Sequence, residues 1–89
     1  MSPRPRKHLD PKSKRFEIRF AIHLRKLLGE SKLTAAEFLE RIQAAGVDVS
    51  AMAVRKWIAG EHIPRPQEAP AIGRVLGLKD YRDLWPPLD

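Results

Sequence analysis

The chain has 89 residues, 43% hydrophobic and 31% charged, with a formal net charge of +6 and no cysteine. That length holds one small domain with a marginal core, and the lack of thiols excludes a disulfide framework and a thiolate metal site. No apolar run approaches a membrane span, and the basic start Met1 to Lys7 is not followed by an apolar signal core, so a soluble, cytoplasmic protein is expected.

The charge is unevenly spread. Up to Ser31, nine Lys/Arg stand against three acidic residues, a net of +6, whereas from Lys32 onward eight basic residues meet eight acidic ones. The whole excess therefore belongs to the N-terminal third, which implies a polyanion contact there.

Residues 1–9, M-S-P-R-P-R-K-H-L, read as an extended basic arm, because proline biases itself and its predecessor away from helix. Arg4, Arg6 and Lys7 suit a narrow minor groove or phosphates, and equally a solvated tail. Residues 10–89 form the domain. Asp10-Pro11 predicts a helix start, with Asp10 as cap and proline at the first helical position. Phe16, Phe20, Leu24 and Leu27 or Leu28 give that helix one apolar stripe, ending near Gly29. Its other face carries Lys14, Arg15, Arg19, Arg25 and Lys26, a solvated face or one laid along phosphates, and His23 reads as a surface residue.

Thr34-Ala35-Ala36-Glu37 is a capping box, with Leu33 and Phe38 at the staple positions. Phe38, Leu39 and Ile42 supply the buried face of a second helix that Gly46 closes, packed on the first through phenylalanines and leucines. Gly46 to Val49 makes a longer connection than a tight turn, leading to Ser50, whose hydroxyl can cap a third helix of about three turns ending at Gly60. Val54, Trp57 and Ile58 recur at i, i+3 and i+4 and face the core, with Trp57 as an anchor. Arg55 and Lys56 lie off that stripe, and Ala51 and Met52 sit exposed in the first turn. A short helix with a buried back and a small, basic outer face fits a B-DNA major groove.

Glu61 to Pro66 is a proline-bounded loop, after which a fourth helix runs from about Gln67 or Ala69 to Leu76, with Pro70 in its first turn and Gly77 as its stop. Asp80 caps a last short helix, Tyr81 to Trp85, halted by Pro86-Pro87; Tyr81, Leu84 and Trp85 close the core or form a dimer contact. The three histidines lie in different elements without metal-ligand spacing, and there is no glycine-rich phosphate loop. No enzyme activity, cofactor or metal is expected.

The pattern V-R-K-W-I-A-G-E-H-I-P, with Trp57, Gly60 and Pro64 at this spacing, resembles the recognition helix and following turn of the λ-repressor-like (Xre/Cro) helix-turn-helix family, over Phe20 to Leu78. The resemblance implies an all-α, five-helix domain that binds double-stranded DNA as a transcriptional regulator, similar to small phage or prophage repressors and commonly dimeric. It places Ala51, Met52 and Ala53 on base edges, followed by Arg55 and Lys56. Thr34, at a helix N-terminus that attracts anions, can donate to a phosphate as well as cap its helix, and Arg65 contacts phosphate or is solvated. Ala35 stands where the family often has glutamine, Ile58 where an acidic residue is frequent, and Glu61 where a basic one is frequent. These departures shift weight toward the arm and first helix. Two rival readings are an antitoxin-like protein-interaction module, favoured by an exposed Tyr81/Leu84/Trp85 patch, and a sequence-indifferent architectural binder led by the arm.

Overall fold

The computed structural model describes residues 9–87. Within them the chain forms four α-helices, α1 (Phe16–Glu30), α2 (Ala35–Ala44), α3 (Ala51–Ile58) and α4 (Ala69–Val75), with 3-10 turns at Pro66–Glu68 and Tyr81–Leu84 and no strand. The all-α class agrees with the sequence pattern; the count of five helices does not. Tyr81–Leu84 lies between the Gly77 stop and Pro86, and a stretch so short closes as a 3-10 turn rather than as a fifth α-helix. Asp80 does cap it, its carboxylate accepting from the Arg82 N–H at 2.9 Å.

The first helix starts later than Asp10-Pro11 predicts. The Asp10 carboxylate accepts from the Lys12 N–H at 2.9 Å and its carbonyl from the Ser13 N–H at 3.0 Å, closing an isolated turn. Ser13 Oγ then accepts from the Arg15 N–H at 3.2 Å. Side chains of this kind offer the backbone a local alternative to the helix ladder, and here that alternative wins. Lys14 and Arg15 consequently precede α1 instead of riding on its outer face.

At its far end α1 passes Gly29 and reaches Glu30. The Lys32 N–H bonds the Gly29 carbonyl and the Leu33 N–H bonds the Leu28 carbonyl, a Schellman closure with Lys32 at the left-handed position, φ 56°. The same closure ends α2 at Gly46, α3 at Gly60 and α4 at Gly77. Lysine alone takes the conformation without glycine's freedom.

Phe20, Leu24, Phe38, Ile42, Val54, Ile72 and Leu84 are almost wholly removed from water in one core. The backbone of α1 lies closest to α3, and that of α2 closest to α3 and α4, so α1 and α2 share the core mainly through side chains. The segment after Tyr81–Leu84 runs back along α1: the Asp83 carbonyl lies 2.7 Å from His23 Nε2, and the Pro87 carbonyl accepts from the Arg19 guanidinium at 2.7 Å. Between them the Trp85 ring centre lies 5.5 Å from that of Phe20 and 6.1 Å from that of Phe16. Leu84 and Trp85 thus close the core, Tyr81 stays exposed, and His23 ties the segment to α1 rather than standing as a plain surface residue. Gly73 allows this packing, since a Cβ there would stand 3.0 Å from Tyr81 Cα.

Candidate nucleic-acid interface

Ser50 caps α3 as its sequence position predicts, its Oγ accepting from the Ala53 N–H at 3.2 Å. Val54, Trp57 and Ile58 are buried, which fixes the back of the helix. The opposite side then presents Ala51, Met52 and Arg55 to solvent, Met52 with 55% of its surface exposed, and Lys56 half-buried beside them. Small side chains in the first turn let the helix backbone approach a surface closely. The charged groups one turn later supply donors with five and three N–H bonds to offer.

The loop after α3 folds back beside it. Ile63, Pro64 and Arg65 line one cleft with Ser50, Ala53 and Trp57, so Arg65 lies next to the N-terminal half of α3. Its own backbone is held by Glu68, whose Oε1 accepts from the Arg65 N–H at 3.1 Å. Among the described residues Arg55, Lys56 and Arg65 form no ion pair, whereas Arg15 pairs with Glu17 at 3.6 Å across an exposed surface. Glu61 and Asp48 are exposed at the two ends of α3 and temper its positive field.

Thr34 does cap α2: its Oγ1 accepts from the Glu37 N–H and Glu37 Oε1 from the Thr34 N–H, both at 3.1 Å. The Thr34 backbone N–H first, and then its hydroxyl, hold the Glu37 carboxyl below the ordinary carboxylate range. A phosphate arriving at this helix end meets a carboxylate that already uses its donors.

Comparison with protein-family models, with curated proteins and with solved structures gives no match to this chain. The site therefore rests on its own geometry.

The structure brings Ala51, Met52, Arg55, Lys56 and Arg65 to one region, and puts Thr34, Lys14 and Arg15 on other segments. Arg4, Arg6 and Lys7 lie outside the described residues. Leu9, the last residue assigned to the arm, is buried, and it packs where Gly60 ends α3. The arm is therefore rooted at the C-terminal end of α3. Arg25 and Arg19, assigned to the basic face of the first helix, bond instead to the Ile58 carbonyl at 3.1 Å and to Pro87. Gln43, to which the pattern gave no task, donates from Nε2 to the Val49 carbonyl at 3.0 Å. The first two partners are 33 and 68 residues away, beyond any local signal, and the third, six residues on, lies past the end of α2 where helical periodicity no longer applies.

A separate open groove of about 760 Å³ runs between α1 and the C-terminal segment, walled by Phe16, Leu27, Ile63, Pro66, Trp85 and Pro86. No group of three or more potential metal ligands occurs among the described residues, and none of their helices is long and apolar enough to cross a membrane.

Proposed function

We propose that the chain is a sequence-specific double-stranded DNA-binding regulator of the λ-repressor-like helix-turn-helix kind, with α3 in the major groove and the basic N-terminal arm on phosphates or in the minor groove. The observation that carries this reading is the outer face of α3. Its back is locked into the core by Val54, Trp57 and Ile58, while Ala51, Met52 and Arg55 face solvent and Lys56 and Arg65 flank them without ion-pair partners among the described residues. In the groove Ala51 and Met52 meet thymine methyl groups, and Arg55 or Lys56 donates to guanine O6 and N7. Bound as a homodimer, two such helices would sit one DNA turn apart and block polymerase sterically.

The test is selection of the full-length protein on a randomised duplex pool near physiological salt, followed by titration of the winning and a scrambled duplex. Enrichment of a motif is expected, two-fold symmetric for a dimer. Arg55→Ala and Lys56→Ala should each weaken the winning duplex more than the scrambled one. Equal losses on both would remove groove reading and leave a sequence-indifferent architectural binder.

A second reading has its own observation. The groove walled by Phe16, Ile63 and Trp85 is apolar and open, and such patches mark protein contacts. No retention of any duplex would favour this protein-interaction module.

A further inference from the structure

We infer that Gln43 and Arg25 are positioning residues that hold α3 at its two ends, one acting from α2 and the other from α1. The inference rests on the DNA-binding reading only for its effect on sequence discrimination.

With eight residues, α3 spans only about 12 Å, so its direction depends on what holds its ends. Its approach is long: residues 45–50 separate it from α2, and Gly46 turns through φ 95°. Two features restrain that approach. Val47 is buried, and Gln43, one residue before the end of α2, donates from Nε2 to the Val49 carbonyl at 3.0 Å. Val49 immediately precedes the Ser50 cap, so the bond ties the last turn of α2 to the start of α3.

The exit is held in a different way. A helix leaves its last four carbonyls without partners inside it. At the end of α3 three of them are met by the chain's own closing turn: the Arg55 carbonyl by the Ala59 N–H, the Lys56 carbonyl by the Glu61 N–H, and the Trp57 carbonyl by the Gly60 N–H. The fourth, Ile58, is met by Arg25 Nε of α1 at 3.1 Å. A guanidinium there also faces the negative end of the helix dipole. Beside it, Gly60 lets the α3 terminus pack closely on α1, where a Cβ would stand 3.2 Å from Ile18 Cγ1.

Neither side chain belongs to the buried core, Gln43 being exposed and Arg25 half-buried. Both fix the tilt and rotation of the helix that carries Met52, Arg55 and Lys56. Base-edge recognition needs that setting, while phosphate attraction does not.

The experiment compares the full chain with Gln43→Met, which keeps length and helix propensity but has no donor, and with Arg25→Lys, which keeps the charge but loses the planar fork. Residual dipolar couplings of backbone amides in the free protein report the orientation of α3 relative to α1 and α2. Titrations with the selected and a scrambled duplex report discrimination. We expect folded variants whose α3 couplings no longer fit the wild-type orientation. Their selected-to-scrambled affinity ratio should fall roughly tenfold, the discrimination that one good base contact supplies, with scrambled-duplex affinity held within about twofold. Unchanged α3 couplings in Gln43→Met, the exposed position that is safe to alter, would overturn the inference. Altered couplings with an unchanged ratio would overturn its link to recognition. If α3 shifts as expected but the wild-type protein prefers no duplex, the positioning stands and the DNA-binding reading falls.

Discussion

Replacing Gly60 with alanine tests the junction on which α3, α1 and the root of the arm converge. Gly60 has φ 78°, a region that costs an L-residue about 1–2 kcal/mol. The new Cβ would stand 3.2 Å from Ile18 Cγ1, 3.3 Å from Leu9 Cδ2 and 3.4 Å from Ile18 Cα. The two side-chain atoms would have to give by a few tenths of an ångström, while the Ile18 backbone stands at ordinary contact distance. Overpacking of this order costs about 1–3 kcal/mol. Against it, the stiffer unfolded chain returns about 0.4–1 kcal/mol. The net loss should be about 1–4.5 kcal/mol, a fall of roughly 5–35 °C in melting temperature for a domain of this size. Urea unfolding followed by helical circular dichroism gives the loss directly, provided the slope stays constant. Gly46→Ala is the internal control: it has φ 95° and no atom within 4 Å of its Cβ, so it carries backbone strain alone. The difference between the two variants isolates the close approach of α3 to α1. A Gly60→Ala variant no less stable than Gly46→Ala would refute that approach, and with it the rooting of the arm beside α3.

Three further substitutions probe the scaffold. Lys32→Gly removes the strain of lysine at φ 56° in an exposed turn and should stabilise by about 0.5–1 kcal/mol, measured as a rise in melting temperature. Gly73→Ala should destabilise by about 1–3 kcal/mol although alanine is the better helix former, because its Cβ would press on Tyr81 Cα at 3.0 Å. Glu37→Gln, which removes the titrating carboxyl, should lower stability at neutral pH and flatten its pH dependence in acid. The Glu37 carboxyl is held below its ordinary value in the folded chain, so its contribution is complete above that ordinary value and disappears as pH falls through the depressed one. A variant whose acid unfolding profile overlays the wild type would show that the capping box does not act through that carboxyl.

The parts of the fold that were legible in the sequence are those written by neighbours in the chain. Thr34 with Glu37, Ser50 three residues before Ala53, the 3.6-residue recurrence of Val54, Trp57 and Ile58, and glycine after three of the helices all act within one or two turns. The exposed face of α3 followed from the same periodicity, since burying one side leaves the other out. Errors arose where two local signals competed, or where the partner was remote. Asp10-Pro11 has the composition of a helix start, but the Asp10 carboxylate reaches the Lys12 N–H first and closes a turn. Arg19, His23 and Arg25 read as one polar face of a helix, yet they meet carbonyls at Pro87, Asp83 and Ile58, which no window around α1 contains. Lys32 was hidden for a third reason: the Schellman closure forms through backbone bonds, and it imposed a left-handed residue where the sequence offered no glycine.

The burial of Leu9 changes how the arm must be tested. Truncation through Leu9 would remove the arm's cations together with a buried side chain that packs against Gly60, and would mix lost charge with lost stability. Truncation of residues 1–8 removes Arg4, Arg6 and Lys7 and leaves Leu9 in place. On duplex DNA each phosphate contact contributes about 0.9 to the slope of log affinity against log salt. Loss of those three cations should therefore flatten the slope by up to about 2.7 and weaken selected and scrambled duplexes alike. The melting temperature of the truncated protein should match that of the full chain, and removing Leu9 as well should lower it. A slope unchanged by the truncation to residue 8 would make the arm a solvated tail. The polyanion contact implied by the excess charge would then fall to the cations retained after it, from Lys12 onward.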